Sequence, residues 1–525
     1  MTDIIVVGAG SAGCAIAARA SENPNLSVLL IEAGPDYPTL TDTPADLRNG
    51  HNNSYRAHDW GFKHIPTAPR QAQPVPFPRG RVVGGSSAVN TCIALRGMPE
   101  DYDEWAELGN PAWAWDQVLP AFRRLERDLD YPDRDFHGDS GPISIRRYPT
   151  AELLPAHQAF LQVADDLGYP SCADANDPNG WGAGPQPMNK LGRLRVSCAV
   201  GYLAPARLRD NLEIAAEQLV RRLLIEGGRC VGVELEDVEG VVSERRAELV
   251  VLAAGALLSP GILLRSGIGG RAAVAALGVD AVCDLPGVGQ NLCDHPAISV
   301  VASVRDPGLI DFDSPIIQTI LRYTCEGSDK RNDLQIEQLS FVGRASDPPS
   351  IGIAAVLEYQ YGRGELRLPD ANPHSAPIVE QRFCEDERDA KRLARGLRDA
   401  IEFTRRGALA DLIDEVRYPR DATQRSDAEL IELCQRYAGS GYHPCGTIKM
   451  GPSQDAMAVV DQRGRVRGVD GLVVGDASIM PFVPRANTNL TSIMIGEKIG
   501  EWLRTEPAKY GLQGAPQSTQ NQQVH

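Results

Sequence analysis

Regular cysteine spacings are missing from this sequence, although it contains 11 cysteines. No two of them form a CxxC pair, and none stands at a metal-ligand spacing. Disulfide frameworks and zinc sites normally show such spacings. We therefore expect reduced thiols, a cytoplasmic location and no metal site.

Positive charge and long apolar runs are also scarce. The 53 lysines and arginines are outnumbered by 69 aspartates and glutamates, so the net charge is −16. This balance gives no electrostatic support for binding to nucleic acid or to an anionic membrane. The most apolar stretch, residues 249–264, is interrupted by Ser259, Pro260 and Gly261, which indicates strand, turn and helix rather than a membrane span. Because an apolar strand begins by Ile4, we expect no secretory leader before it.

The first strand leads directly into a glycine-rich turn. Residues 4–7 are apolar, and residues 8–13 read Gly-Ala-Gly-Ser-Ala-Gly before an alanine-rich helical stretch. In this order, the first glycine permits a tight turn, the second lets the backbone approach a pyrophosphate, and the third allows helix and strand to pack closely. A second apolar strand, residues 28–31, ends at Glu32, whose carboxylate can accept hydrogen bonds from a ribose. The pattern predicts a dinucleotide site, for either NAD or FAD.

Three later segments favour FAD over NAD. Residues 78–90 form a second loop rich in glycine and serine, with free backbone donors for a close approach to a ligand. Residues 248–256 have the pattern of a buried strand ending in an Ala-Gly turn, and residues 472–476 are a short strand ending in Gly-Asp. An NAD site normally needs one fingerprint. Turns drawn from the whole chain are more typical of a long, permanently bound dinucleotide.

These segments resemble the signatures of the glucose-methanol-choline (GMC) oxidoreductase family, over nearly the full length of the chain. The similarity rests on six ordered segments, residues 80–90, 255–269, 286–295, 441–450, 476–481 and 487–489. It implies an α/β protein, with a discontinuous Rossmann-like FAD-binding domain and an inserted substrate-binding domain made of a sheet and helices. The helical spacing of apolar residues also predicts helices over 117–129 and 385–403.

The domain boundaries follow from the positions of these segments. The expected FAD-binding domain comprises residues 1–35, 76–105, 195–300 and 465–505. The expected substrate-binding domain comprises residues 106–194 and 301–464, including an active-site loop at 439–450. Residues 506–525 are rich in Gln, Gly, Pro and Ala, which predicts a disordered tail.

His443 and Asn487 are the predicted catalytic residues. His443 lies among small, turn-prone residues such as Gly441, Pro444 and Gly446, which is typical of a constrained loop. Oxidation of an alcohol requires removal of the hydroxyl proton as hydride leaves, and imidazole has a suitable pKa for this step. The resemblance implies that Asn487 holds the alkoxide, where many relatives have a second histidine. Because an amide cannot act as the base, His443 is the expected general base.

The turns and the resemblance together imply the contacts to FAD and substrate. The expected FAD-contacting residues are Gly8, Gly10, Ser11, Ala12, Gly13, Glu32, Ala33, Arg81, Val83, Gly84, Gly85, Ser87, Asn90, Thr91, Val220, Ala254, Gly255, Asp476, Ala477, Asn487 and Thr488. The candidates for the substrate side are Tyr442, Thr91, Cys92 and Arg485, with simple packing as the alternative for each. Val89 stands where some family members carry a histidine joined to the flavin, so FAD is expected to be non-covalent. Asp294 and His295 are interpreted as structural residues away from the site.

The predicted function is oxidation of a primary or activated alcohol to an aldehyde, with hydride transfer to FAD. The expected partners are a small alcohol, such as an aryl or heteroaryl carbinol, and an electron acceptor. Dioxygen is favoured over a quinone-type acceptor, because the length and the His–Asn pair resemble the choline, hydroxymethylfurfural and pyridoxine oxidase branch. If Arg485 faces the pocket, neutral or anionic carbinols should react faster than choline. Two alternatives are a non-redox, FAD-containing enzyme similar to hydroxynitrile lyases, and an NAD-linked reductase.

Overall fold

The computed structural model describes residues 2–71, 73–344 and 346–512. In these residues, the helices are α1 (Ser11–Ala20), α2 (Ala45–Arg48), α3 (Pro99–Glu107), α4 (Trp115–Leu125), α5 (Pro155–Asp166), α6 (Ala204–Ala206), α7 (Ser259–Arg265), α8 (Arg271–Ala276), α9 (Glu387–Phe403), α10 (Gly407–Leu412), α11 (Asp427–Tyr437) and α12 (Thr488–Thr505). The strands are β1 (Thr2–Val7), β2 (Val28–Ile31), β3 (Lys63–His64), β4 (Val75–Pro76), β5 (Glu126–Asp128), β6 (Ile143–Ile145), β7 (Gly182–Pro185), β8 (Lys190–Leu191), β9 (Leu194–Arg195), β10 (Leu212–Ala215), β11 (Gln218–Glu226), β12 (Arg229–Asp237), β13 (Val242–Leu252), β14 (Ile268–Gly269), β15 (Cys283–Asp284), β16 (Pro296–Val304), β17 (Ile317–Tyr323), β18 (Leu334–Leu339), β19 (Ser350–Leu357), β20 (Glu365–Arg367), β21 (Ile378–Glu380), β22 (Ile413–Tyr418), β23 (Gly439–Ser440) and β24 (Leu472–Val474).

The first sheet is built around apolar strands that pair in parallel. Its order is β10-β2-β1-β13-β12-β11, and β24 pairs with the end of β13. Ile31, Val7, Leu252 and Val474 are register partners across β2, β1, β13 and β24. Because parallel strands end at the same edge of a sheet, the turns that follow these four residues lie side by side. This edge is where the predicted dinucleotide turns meet.

The second sheet has two different faces. Its order is β22-β16-β19-β18-β17-β7, and β23 pairs with β16. Alternate residues such as Ile298, Ile336 and Ala355 are buried in an apolar core with Leu393 and Leu397 of α9. Their neighbours in the strands point to the opposite face, because side chains alternate along a strand. That opposite face borders the cavity described below.

The amphipathic helix predicted over 385–403 forms as α9, which begins two residues later. Asp386 caps it by accepting a hydrogen bond from Arg388 N, and the carboxylates of its first turn suit the helix dipole. The helix predicted over 117–129 is wrong at its end. Helix α4 stops at Leu125, and Glu126–Asp128 pairs with Ile143–Ile145 as a strand.

The predicted disordered tail is wrong for its first residues. Helix α12 ends at Thr505, and Pro507–Tyr510 then forms a 3₁₀ turn. Tyr510 and Leu512 are buried against the core of the first sheet, so this part of the tail is folded. Residues 513–525 lie outside the described residues. The domain boundaries drawn from the sequence stay a prediction.

The described residues contain neither a disulfide bond nor a helix that could span a membrane. All 11 cysteines are free, as the irregular spacing predicted. Within residues 2–71, 73–344 and 346–512, no helix combines the length and the apolar character that crossing a bilayer requires.

Candidate active site and cofactor cavity

A cavity of about 1030 Å³ extends from the carboxyl edge of the first sheet to the polar face of the second. Its lining includes Gly8 and Glu32 at one end and Ser299, Glu337 and Val356 at the other. A volume of this size accommodates a cofactor together with a small substrate. The site is therefore made from turns of one sheet and strand residues of the other.

The glycine turn after β1 has the geometry that close approach to a ligand needs. Gly8 has a φ of 99°, which disfavours other residues. A Cβ on Gly13 would lie 1.9 Å from Gly8 O, so Gly13 serves the packing of α1 on the turn and does not line the cavity. A Cβ on Gly10 would meet no protein atom closer than 3.9 Å, and Gly10 borders the cavity. Gly10 precedes α1 without a side-chain cap, so the first N–H groups of the helix are available to a phosphate.

Glu32 lies at the end of β2 with both carboxylate oxygens hydrogen-bonded to the backbone. Ala9 N donates to Oε2 at 3.0 Å, and Gly34 N donates to Oε1 at 2.9 Å. Burial raises the pKa of Glu32 to about 7, against the effect of these bonds. Because each carboxylate oxygen can accept more than one hydrogen bond, Glu32 still has acceptor capacity toward the cavity that it lines.

The second glycine loop packs directly on the first. Gly84 N donates to Ala9 O at 2.7 Å, and a Cβ on Gly85 would lie 2.6 Å from Gly10 Cα. Most of the residues expected to contact FAD line the cavity, namely Gly8, Gly10, Ser11, Ala12, Glu32, Ala33, Gly85, Asn90, Thr91, Val220, Ala254, Gly255, Asp476, Ala477, Asn487 and Thr488. Five expected residues do not line it, namely Gly13, Arg81, Val83, Gly84 and Ser87. These five support the turns: for example, Ser87 Oγ donates to Gly84 O.

Asp476 joins the turns that follow β13 and β24. Its Oδ2 accepts hydrogen bonds from Gly255 N at 2.8 Å and from Ser259 Oγ at 2.6 Å, and its Oδ1 accepts from Ser478 N at 2.8 Å. The carboxylate thus fixes both turns at the cavity edge. Helix α12 begins next to them, and no side chain caps its first N–H groups at Asn487. Its positive end therefore faces the cavity at Thr488.

His443 and Asn487 lie together in the cavity. Asn487 Nδ2 is 3.1 Å from His443 Nε2, and both residues line the cavity. An amide N–H can only donate, so Nε2 accepts this bond and carries a lone pair. Burial lowers the pKa of His443 well below 6.5, and His295 and Arg79 lower it further. His443 is therefore neutral, with its basic nitrogen directed at the cavity.

The interpretation of Asp294 and His295 as residues away from the site is wrong. His295 Nδ1 is 2.9 Å from His443 Nδ1, and His295 Nε2 is 3.1 Å from Pro484 O. A carbonyl only accepts, so His295 Nε2 carries the proton and His295 Nδ1 accepts from His443 Nδ1–H. Asp294 Oδ1 accepts from the backbone N–H groups of His295 at 2.7 Å and His443 at 2.8 Å. The pair thus positions the histidine, which the spacing in the sequence did not indicate.

Two of the four substrate-side candidates do not face the cavity. Tyr442 and Thr91 line it, whereas Cys92 and Arg485 do not. Cys92 is fully buried, with Sγ accepting from Arg195 Nη1 at 3.3 Å. Arg485 donates through Nε to Asp101 Oδ1 at 2.6 Å and through Nη1 to Arg331 O at 2.7 Å. Arg485 is therefore a structural ion-pair residue, and the expected preference for anionic carbinols loses its basis.

The polar face of the second sheet was missed in the sequence. Cavity-lining residues on it are Ala297, Ser299, Val301, Gln335, Glu337, Leu339, Ala354, Val356 and Glu358. They alternate with core residues along β16, β18 and β19, so the alternation of apolar and polar residues in 334–337 was the available signal. Aromatic residues from the N-terminal part of the chain, including Tyr55, Trp60 and Phe62, complete the lining.

The donor set of the cavity fits FAD. Uncapped N–H groups at α1 suit a pyrophosphate, and Glu32 supplies a ribose acceptor. Two buried polar atoms that have no protein partner are Asn487 Oδ1, beside His443, and Asn489 Nδ2, whose amide oxygen accepts from Ser11 Oγ. Buried polar groups are normally hydrogen-bonded, so these two atoms call for a polar ligand. A long cofactor that reaches from Glu32 to Asn487 meets both requirements.

Comparison with known proteins gives full-length matches. The N-terminal and C-terminal family models described as GMC oxidoreductase match residues 2–297 and 360–496. The chain is 36% identical over 528 residues to 5-(hydroxymethyl)furfural oxidase of Methylovorus sp., covering 96% of this chain and 99% of that protein. It is 35% identical over 558 residues to an oxygen-dependent choline dehydrogenase of Klebsiella pneumoniae, covering 98% and 97% of the two chains. The solved structure of pyridoxine 4-oxidase from Mesorbium loti has a TM-score of 0.88 at 29% identity, covering 95% of this chain and 98% of that chain.

Proposed function

Because the chain belongs to the GMC oxidoreductase family, we propose that it oxidises a primary or activated alcohol to the aldehyde, with His443 as the general base. The family, the α/β fold class and the FAD cofactor predicted from the sequence are confirmed. The protein is an FAD-dependent oxidoreductase that acts on CH–OH donors. The NAD-linked alternative is therefore set aside.

The observation that carries the proposed mechanism is the chain of hydrogen bonds from Pro484 O through His295 to His443. It fixes the proton of His443 on Nδ1 and leaves Nε2 unprotonated at the cavity. A substrate hydroxyl that displaces the Asn487 N–H from the single lone pair of Nε2 can transfer its proton there as the C–H bond breaks. When bound, FAD supplies the hydride acceptor for this step.

Asn487 has a separate role in this proposal. Its amide N–H group lies within hydrogen-bonding distance of His443 Nε2, at 3.1 Å, and its Oδ1 has no protein partner. An amide at this point can donate to the oxygen of the alcohol as negative charge develops on it. Asp294 and His295 act as positioning residues, because both hold His443 and neither is placed to contact the reacting atoms.

We favour a small aryl or heteroaryl carbinol as substrate and dioxygen as electron acceptor. The cavity lining combines Tyr55, Trp60, Phe62 and Tyr442, which suits a flat ring. Two of the similar proteins are named as oxidases of furan and pyridine alcohols, and the third is named as oxygen-dependent. The non-redox, hydroxynitrile lyase-like alternative is set aside as well, because the similar proteins are oxidases and dehydrogenases that act on CH–OH donors.

Anaerobic mixing with a panel of alcohols tests the proposal. The purified yellow protein is mixed with furfuryl, benzyl and pyridyl carbinols and with choline, and bleaching of the flavin is followed by absorbance. Air is then admitted to measure reoxidation. We expect bleaching by at least one carbinol and return of colour with dioxygen. A flavin that none of these carbinols bleaches would contradict the proposed substrate class, and bleaching without recovery in air would indicate another electron acceptor.

A further inference from the structure

Glu337 is a carboxyl group on the substrate side of the cavity that the proposed chemistry does not use. It lies on β18, in register with Ala354 of β19, which is in register with Ser299 of β16. All three residues line the cavity. They therefore form one row across the polar face of the second sheet.

The position of this row relative to His443 follows from the strand register. The neighbouring row contains Gln335, Val356 and Ala297, and Ala297 pairs with Gly439 at the start of the active-site loop. Glu337 is thus one row further from the loop and two strands away from β16. Two strand spacings correspond to about 10 Å between backbones. Glu337 and His443 both line the cavity, so a small molecule of about this length would reach from one to the other.

Glu337 has few partners in the protein. Gln335 Nε2 donates to its Oε1 at 2.5 Å. No cationic side chain of the described residues forms an ion pair with it, whereas the positive charge of Arg322 lowers the pKa of the nearby Glu358 against the effect of burial. Burial raises the pKa of Glu337 to about 7, because the hydrogen bond from Gln335 offsets only part of the loss of solvent around the carboxylate. A carboxyl group held in a cavity without a counter-charge is available to a donor or cation from a ligand.

Neither Arg79 nor Arg485 forms an ion pair with Glu337. Arg79 lies beside the active-site loop, with its guanidinium stacked at 4.5 Å on Phe77 and Nη1 donating to Tyr442 O at 3.0 Å. Its charge also acts on Asp294 and His443. Arg485, which had suggested an anionic substrate, is paired with Asp101 outside the cavity. On the face formed by β16, β18 and β19 and the residue that follows β19, the charged lining residues are Glu337 and Glu358, whereas Arg70, Arg79 and Arg265 line other parts of the cavity.

We infer that Glu337 selects alcohols that carry a protonated amine about one ring length from the carbinol. This inference rests on the proposed function, and it reverses the charge preference expected from Arg485. The carbinol would lie at His443 and Asn487, the ring would span the cavity, and the ammonium group would bind Glu337. A neutral second hydroxyl would bind Glu337 less strongly, because only one charged partner is then present.

A shape-matched series of substrates tests the inference. Benzyl alcohols with an aminomethyl, a hydroxymethyl or an ethyl substituent, at the meta and para positions, differ in charge and hydrogen bonding but little in size. We expect the better aminomethyl isomer to give a kcat/KM for flavin reduction about ten- to a hundredfold above that of its ethyl counterpart, as for a hydrogen bond to a charged group. Equal values for the aminomethyl and ethyl compounds would overturn the inference.

The variant Glu337→Gln keeps the shape of the side chain and removes its negative charge. We expect it to lose most of the amine preference through a higher KM, with a smaller change for the ethyl compound, which has no charged group to bind there. Glu326→Gln is the matched control, because Glu326 is 82% exposed on the loop between β17 and β18. It should keep the full preference. An unchanged preference in Glu337→Gln would remove Glu337 from substrate selection.

A binding measurement separates failure of this inference from failure of the proposed function. 4-Methylbenzylamine has the ammonium group and lacks the carbinol, so its effect on the flavin spectrum reports binding without turnover. We expect it to bind the parent about tenfold or more tightly than Glu337→Gln. If it does so while no alcohol bleaches the flavin, the proposed function is wrong and the acidic subsite stands. If alcohols bleach the flavin but the amine binds both proteins equally, the subsite is wrong.

Discussion

At the scale of single residues, the direction of two hydrogen bonds decides which nitrogen of His443 is free. Pro484 O can only accept, so the proton positions of both histidines follow from one backbone carbonyl. Burial then keeps His443 uncharged by lowering its pKa well below 6.5. The proposed base is therefore unprotonated before the substrate binds.

Replacing the base should slow the chemical step and leave the cofactor in place. We expect His443→Ala to stay yellow and to reduce its flavin about two to four orders of magnitude more slowly, the usual loss for a general base. Asn487→Ala removes one donor to the developing alkoxide, and we expect a smaller loss, about tenfold to a hundredfold. Stopped-flow reduction under anaerobic conditions measures both. Parental rates in His443→Ala would refute the assignment, and retention of FAD shows that the comparison is valid.

The low pKa of His443 also predicts a pH profile. A base works in its unprotonated form, so the rate should stay constant as the pH falls through 6.5 and should decline only below that value. The limiting rate of flavin reduction, measured with a neutral carbinol from about pH 9 to about pH 5, checks this. A neutral carbinol is needed because Glu337 has its pKa raised to about 7 and would add its own titration to that of an amine substrate. Half-loss of the rate near pH 6.5 would contradict the environment described for His443.

At the scale of elements, two glycines in and after the turn between β1 and α1 have different surroundings, one open to the cavity and one packed against the backbone. Gly10 borders the cavity with open space beside it, whereas Gly13 packs against Gly8 O. The same substitution at the two positions should therefore have different effects. This offers a matched pair within a single turn.

We expect Gly10→Ala to fold normally and to bind FAD at least about tenfold more weakly, because its methyl group would occupy space at the phosphate site. Its φ of −82° is suitable for alanine. Gly13→Ala should instead lower the stability of the protein by about 1–3 kcal/mol, because its Cβ would lie 1.9 Å from Gly8 O. Thermal unfolding of the apoproteins and titration with FAD distinguish the two effects. Equal melting temperatures for the two apoproteins would contradict the packing role of Gly13.

Elements that the sequence predicted well have a strong local pattern. The apolar runs of β1 and β2 and the helical spacing of α9 agree with the structure, because local propensity and burial favour the same state there. The sequence placed the end of helix α4 too late, because Glu126 belongs to a buried cluster with Arg96 and His137. Such distant partners have no signature in the local sequence.

At the scale of the whole molecule, the cavity depends on segments from every part of the chain. The turns after β1, β13 and β24 meet because three parallel strands share one sheet edge, although their register partners Val7, Leu252 and Val474 are 245 and 222 residues apart in sequence. The active-site loop is then joined to the second sheet by Ala297 and Gly439. A bound cofactor that contacts both sheets should stabilise the folded state by mass action.

The attachment of FAD gives a prediction at this scale. Val89 lines the cavity and has no nucleophilic atom, so acid precipitation should release all the yellow colour into the supernatant. Excess FAD should also raise the melting temperature of the apoprotein, by an amount equivalent to about 2.7 kcal/mol at a hundredfold excess over Kd. Colour retained in the washed pellet would indicate a covalent bond to another residue.

The sequence by itself determined the family, the parallel sheet with its glycine turn, and the pairing of His443 with Asn487 as candidates. These features depend on short motifs and on strand patterns, in which each residue is constrained by its neighbours in the chain. The tertiary structure decided the rest. It brought His295 against His443 across 148 residues, directed Arg485 to Asp101, and exposed Glu337 to the cavity. The direction of a side chain depends on partners that folding brings together, and their spacing in the sequence contains no record of that contact.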